Sequence, residues 1–167
     1  MSAPAPSFAI ERTAGTALRV VTPSRDIQEL WFSLARMHWT SLVLVPADEG
    51  ESAAAVATSL ADVGRRLRDA PVTFMILGDR LDYASAGKII AAVAAVGKGE
   101  AALPVAPTGK VIAAIQPVVV EPLGLALTDA SDAVVVCIQV GRTRLASARR
   151  TIELIGRDRI AGALLLT

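Results

Sequence analysis

Apolar residues fall along this chain in two patterns. In the first they recur at three- and four-residue spacing, which places them on one face of a helix. Ile27, Leu30, Trp31 and Leu34 predict a helix over Ile27–Met37, with Asp26 placed to cap it. Val56, Leu60, Val63 and Leu67 do the same within Ser52–Asp69, leaving Asp62, Arg65, Arg66 and Arg68 elsewhere on the surface. Tyr83–Val96 is an alanine-rich helical stretch that tolerates Gly87 and ends at Gly97-Lys98-Gly99, and Leu145–Ile155 is another helix. In the second pattern apolar residues run without interruption over a few positions. Ser41–Pro46, Val72–Leu77, Val118–Val120, Ala133–Val140 and Ile160–Leu166 read in this way as buried strands. Residues 100–108 carry Pro104 and Pro107 and read as loop, and Gly109–Ile115 as a short helical turn.

Strands that alternate with helices fold as a parallel sheet wound by right-handed crossovers. The expected class is therefore α/β, a three-layer, doubly wound, mostly parallel sheet. Residues 25–167 form that domain, and 1–24, rich in Ala, Pro, Ser and Thr, form a flexible N-terminal arm with one strand expected at Ala17–Val21. Composition agrees: 53% of residues are hydrophobic but only 4% aromatic, so the core is built from Ala, Val, Leu and Ile.

Charge and isolated reactive residues narrow the chemistry mainly by exclusion. The net charge is +1 with both signs interspersed, which gives no electrostatic footprint for nucleic acid; Arg149-Arg150 is too small a cluster to alter that. No apolar run reaches the roughly 18 residues of a membrane span, and Met1–Ser7 lacks the features of a signal peptide. A cytoplasmic protein without direct membrane insertion is expected. The lone Cys137 sits inside an apolar run and reads as core; the lone His38 has no ligand-type neighbours at metal spacing and precedes the first predicted strand of the sheet, which argues against a Ser-His-Asp triad. Gly97-Lys98-Gly99 and Thr108-Gly109-Lys110 resemble fragments of phosphate loops but do not join a strand to a long helix, so they read as turns.

The turn after the first strand carries the most information. Ligands of open α/β sheets bind at the carboxyl ends of the strands. A working phosphate loop at that place needs glycines to bare its amides, a lysine for the β and γ phosphates, and a Ser or Thr for magnesium. Here the turn reads Pro46-Ala47-Asp48-Glu49-Gly50-Glu51-Ser52-Ala53. Only Gly50 frees the backbone, and Glu51 stands where the lysine belongs, with Asp48 and Glu49 beside it. Three carboxylates repel a triphosphate, and a helix N-terminus offers only about 1 kcal/mol or less in return at an exposed site. Two readings stay open: the acids complement the dipole of the following helix while Ser52 caps it, or Ser52 is a relict magnesium ligand in a site that still holds nucleotide.

Motifs on either side of this loop follow one family's order. Glu29-Leu30-Trp31-Phe32-Ser33-Leu34-Ala35 stands against a family pattern Glu-Ala-Tyr-Arg-Thr-Leu-Arg, and Glu49-Gly50-Glu51-Ser52 against Glu-Gly-Lys-Ser. Ser59-Leu60-Ala61 echoes Asn-Leu-Ala two residues out of step, Asp79 (with Asp82 slightly late) echoes an Asp-x-Asp strand end, and Val120-Glu121-Pro122 echoes Asp-Thr-Pro-Pro. Ser131-Asp132-Ala133, Gly141-Arg142-Thr143, Ser147, Leu154 and Ile160-Ala161-Gly162 follow the family into its last strands. Over residues 23–167 the chain thus resembles the cytoplasmic catalytic domain of bacterial tyrosine kinases, of the ParA/MinD branch of P-loop NTPases, which act in capsule and exopolysaccharide assembly. It departs from them in lacking the loop lysine and both helix arginines. The family's phosphoacceptor is a tyrosine cluster, and the only tyrosine here is Tyr83.

The resemblance and the departures together imply a non-catalytic, tyrosine-kinase-like scaffold or regulator in exopolysaccharide biosynthesis or export, working without a cofactor. Its partner would be the cytosolic region of a membrane polysaccharide copolymerase or export protein, or a second copy, and that partner would recruit it to the inner membrane. The implied interface is Glu29, Trp31, Phe32 and Ala35, together with the open edges of the sheet; Trp31 and Phe32 are adjacent, so they cannot share a helix face and one of them is free for a partner. The alternative is an active NTPase or tyrosine autokinase that uses ATP and magnesium around Ser52, Asp79 and Glu121. A MinD-like positioning factor would need a membrane-binding amphipathic tail, where this sequence has an apolar strand.

Overall fold

The computed structural model describes residues 24–67, 72–77, 81–97 and 109–167. The expected arm and its strand at 17–21, the glycine-flanked Lys98 and residues 100–108 lie outside the described residues. Among the described residues five strands, β1 (Ser41–Pro46), β2 (Val72–Ile76), β3 (Lys110–Ala114), β4 (Ala133–Gln139) and β5 (Ile160–Leu166), lie in one sheet in the order β2-β3-β1-β4-β5. Every pairing is parallel. The helices are α1 (Arg25–Ala35), α2 (Ala54–Leu67), α3 (Tyr83–Gly97), α4 (Gly124–Ala130) and α5 (Leu145–Ile155), with a short 3-10 turn at Arg157–Arg159.

β1 shows why its run is apolar throughout. All six residues are buried because helices cover both of its faces. Leu42 and Leu44 face the core made with α1 and α2; Val43 and Val45 face the core made with α3, α4 and α5. The fold is thus the expected three-layer, doubly wound α/β sheet. The β1–β2 connection runs one way on the α2 face. The β2–β3, β3–β4 and β4–β5 connections run the other way on the opposite face. All four therefore share a single hand, the right-handed sense that parallel crossovers take.

Three local expectations are corrected. The third strand is Lys110–Ala114 rather than Val118–Val120, and the helical turn expected at Gly109–Ile115 is absent. Val111–Ala114 slots between β1 and β2, and the Lys110 ammonium donates to the Trp39 carbonyl at 2.9 Å while lying 4.3 Å from the centre of the Trp39 ring. Val118–Val120 is a turn because the Pro117 carbonyl accepts from both Val120 N and Glu121 N, leaving Val118 buried and Val120 exposed. The cap of α1 is Ser24 rather than Asp26: the Ser24 hydroxyl accepts from Ile27 N at 3.4 Å, and Asp26 sits in the first helical turn.

α1 is pinned to the sheet by its tryptophan. Trp31 is buried and meets Trp39 edge to face at 5.8 Å between ring centres, an arrangement that aromatic quadrupoles favour. Close approach of α2 to that ring requires Gly64, where an added methyl carbon would lie 2.3 Å from the Trp31 ring and 2.8 Å from Val72. Gly87 on α3 is exposed, with nothing within 4 Å of a methyl group there. Gly64→Ala is therefore expected to cost about 1–3 kcal/mol by overpacking, whereas Gly87→Ala gains about 0.5–1 kcal/mol from helix propensity. Urea unfolding of the two variants checks this, and equal effects would contradict it.

Candidate functional site

Neighbouring β1 and β4 send their chains away from each other, β1 to α2 on one face and β4 to α5 on the other. Such a divergence opens a crevice at the carboxyl ends of the two strands, the place where open α/β sheets bind ligands. The loop at residues 47–53 and the loop at residues 140–144 form its walls.

In the first loop, Ala47 N continues the ladder to the Cys137 carbonyl at 2.9 Å, so Asp48 emerges directly above β4. Gly50, at φ 74°, turns the chain back toward α2. The Ser52 hydroxyl accepts from Ala54 N at 3.2 Å, a capping contact at the start of α2. In the second loop, Gly141 at φ 80° makes the turn after β4, and the Thr143 hydroxyl accepts from Gln139 N at 2.8 Å. Arg144 then leads into α5. A buried hydrogen bond from the Thr151 hydroxyl to the Ala47 carbonyl, 3.1 Å long, ties α5 to the first loop.

Asp48 bridges these two loops. Only 4% of its side chain is exposed. Its carboxylate accepts from Glu49 N at 2.8 Å, from Arg144 N at 2.8 Å, and from the Arg144 guanidinium through Nε at 2.9 Å and a terminal nitrogen at 2.5 Å. The guanidinium also approaches Glu49 at 3.9 Å. One carboxylate thus takes a backbone amide from each loop together with a two-pronged arginine, the donor set that a bound anion would use. The Arg144 side chain, then the Arg144 amide, hold the Asp48 carboxyl far below its ordinary range against the opposing effect of burial, with Ser147 and the Glu49 amide adding to the same direction.

Glu51 makes the second bridge. Its Oε1 accepts from the Thr143 hydroxyl at 2.5 Å, so Thr143 is a relay between Gln139 N and Glu51. The other oxygen, Oε2, is buried without a hydrogen-bond partner among the described residues. Below it, burial and then the negative charge of Glu51 push the Cys137 thiol up to about 12, so it stays protonated and unreactive in the core.

Of the expected capping arrangement the Ser52 contact at α2 is present, whereas Asp48 serves the start of α5 rather than α2. The first turn of α2 carries no acidic residue, and Asp48 points to the start of α5. Asp79 lies outside the described residues. Glu121 does not stand at a strand end: it follows the turn at 118–120, where its carboxylate accepts from Leu123 N at 3.3 Å. Among the described residues no three His, Cys, Asp or Glu side chains gather to hold a metal ion.

On α1 the expected interface residues separate. Trp31 is core, whereas Phe32 is 53% exposed, Ala35 is exposed and Glu29 pairs with Arg25 at 2.7 Å on the outer surface. Trp31 is therefore unavailable to a partner. The sequence reading missed the role of Arg144. A cation just after the fourth strand, facing acids just after the first, was the available signal, but it has meaning only once β1 and β4 are known to be neighbours.

No family model matches the chain, and no curated protein matches it in sequence. Among the described residues no helix is long and apolar enough to cross a membrane.

Asp48→Asn removes the charge and keeps the shape. Because the folded-state pKa lies below the ordinary 3.8, this carboxylate adds stability that is fully present above that value and is lost as the pH falls through the depressed folded-state value. The melting temperature of Asp48→Asn is therefore expected below that of the parent chain at neutral pH, with the gap narrowing as the pH drops under 3.8. A gap that stays constant with pH would contradict this assignment.

Proposed function

We propose that this protein is a non-catalytic scaffold whose ligand crevice is filled from within. The observation that carries the reading is the Asp48 carboxylate on Glu49 N, Arg144 N and the Arg144 guanidinium. These donors would otherwise be free for a phosphate. An incoming phosphate would have to displace an anion already held at lower entropic cost, because that anion is part of the chain. It would also meet Glu49 and Glu51, with no lysine in the loop to attract it.

A crevice closed in this way leaves surfaces, rather than chemistry, to do the work. The resemblance to bacterial tyrosine kinases suggests where: exopolysaccharide biosynthesis or export, with contact to the cytosolic region of a membrane polysaccharide copolymerase or export protein that recruits the scaffold to the membrane. Exposed Phe32 and Ala35 on α1, next to the Arg25–Glu29 pair, offer one face for that contact. Aromatic side chains of this kind dominate binding energy when a partner covers them. The active-enzyme alternative, with ATP and magnesium around Ser52, Asp79 and Glu121, draws no support from the described positions of Ser52 and Glu121.

Thermal melts separate the two readings. Nucleotide at a hundred times its dissociation constant would stabilise a binding protein by about 2.7 kcal/mol. The scaffold is expected to melt at the same temperature with and without millimolar MgATP. It is also expected to bind the purified cytosolic region of a polysaccharide copolymerase equally well in both conditions, and Phe32→Ala should weaken that binding by about tenfold or more. A clear MgATP shift would refute the scaffold reading.

A further inference from the structure

The two oxygens of the Asp48 carboxylate are served separately. Oδ1 accepts from Glu49 N at 2.8 Å and from a terminal nitrogen of Arg144. Oδ2 accepts from Arg144 N at 2.8 Å and from Arg144 Nε at 2.9 Å. Each oxygen thus has one backbone amide and one prong of the guanidinium, a fork that matches the flat, two-oxygen end of a carboxylate. The seated group, with only 4% of its side chain exposed, defines this site; the start of α5 alone would not.

The donors keep their places by contacts that do not involve Asp48. The Gln139 carbonyl accepts from Arg142 N at 3.1 Å and from Thr143 N at 2.9 Å, and Gln139 N donates to the Thr143 hydroxyl. Ala148 N donates to the Arg144 carbonyl at 3.0 Å, and the Thr151 hydroxyl holds α5 against Ala47. The Arg144 amide is therefore positioned before any anion arrives, and a preorganised donor set binds at lower cost.

A guanidinium by itself accepts carboxylate and phosphate alike. The surroundings choose between them. Glu49 stands 3.9 Å from the same guanidinium nitrogen, and Glu51 belongs to the same loop. A phosphate brings further oxygens and more charge beside these acids, whereas a monocarboxylate brings neither. The Arg144 side chain is 65% exposed, so a small ion reaches the site along it once the Asp48 carboxyl is absent.

Building on the reading of a crevice filled from within, we infer that the loops after β1 and β4 form a carboxylate-selective site whose resident ligand is Asp48, and that a small free monocarboxylate takes the place when that side chain is shortened. Asp48→Ala removes the carboxylate and keeps the β-carbon, so formate has the size of what is lost. Asp48→Gly removes the β-carbon as well, so acetate has that size.

Urea unfolding of the full chain at neutral pH, with ionic strength held constant by sodium chloride, reads occupancy through stability. At ten times its dissociation constant, formate is expected to raise the folded-to-unfolded ratio of Asp48→Ala about elevenfold, and acetate to do the same for Asp48→Gly. Formamide and inorganic phosphate should leave both variants unchanged, and the parent chain should respond to none of these. In Asp48→Ala the amide resonances of Glu49 and Arg144 should move with the same half-saturation, and adding Arg144→Lys, which lacks the fork, should remove the response. If Asp48→Ala is unfolded in buffer alone, the regain of its far-ultraviolet circular dichroism with formate reads the same equilibrium. No stabilisation by either carboxylate, or equal stabilisation by phosphate, would overturn the inference and leave the scaffold reading standing. A MgATP shift in the parent chain is the separate result that refutes the scaffold reading.

Discussion

The carboxylate of Asp48 is held between two loops that the fold drives apart. β1 and β4 are neighbours, yet one feeds α2 and the other α5 on opposite faces of the sheet. A doubly wound sheet always leaves a crevice at such a point, and a crevice lined with amide donors attracts an anion. Here the anion is covalently part of the first loop, and its guanidinium partner is part of the second. Burial of a lone carboxylate would be costly; four donors, two of them on the Arg144 guanidinium, offset that cost and keep the group ionised. The same contact sets where α5 begins, and Thr151 on the next turns of that helix returns a hydrogen bond to Ala47.

Around this point the rest of the molecule supplies rigidity. The six buried residues of β1 fix the height at which Asp48 emerges, and the register Val45 with Val136 and Pro46 with Cys137 fixes how far it stands from the β4 loop. Gly50 and Gly141, both in the left-handed region, let each loop turn back within a few residues. Thr143 adds a second bridge, from Gln139 N to Glu51, so the crevice is closed by side chains of both loops at two depths.

Much of this was legible in the chain. The bounds of β1, α5 and β5 follow directly from uninterrupted apolar runs and a helical repeat, because burial on two faces or on one stripe leaves a strong imprint. The third strand was misplaced because Val111–Ile115 and Val118–Val120 are equally apolar; only the turn hydrogen bonds at Pro117 tell them apart. The loop after β1 was recognisable from its place at the carboxyl end of the first strand and from its acids, Asp48, Glu49 and Glu51. That its acids serve the chain's own arginine could not be read, since Asp48 and Arg144 are 96 positions apart and meet only through sheet order. Likewise Trp31 and Phe32 differ in fate because Gly64 of α2 leaves room for the Trp31 ring in the core, a contact between elements rather than a local preference.

On the scaffold reading proposed above, the crevice between the loops after β1 and β4 has to be closed to external anions. The internal carboxylate meets that need without altering the fold. Amide resonances of Glu49 and Arg144 report on it most directly, since these are the backbone donors it occupies. In a titration of the full chain with MgATP and, separately, with inorganic phosphate, both resonances are expected to stay in place at millimolar ligand. Saturable movement of both together would mean that an external anion displaces Asp48, and the scaffold account would fail.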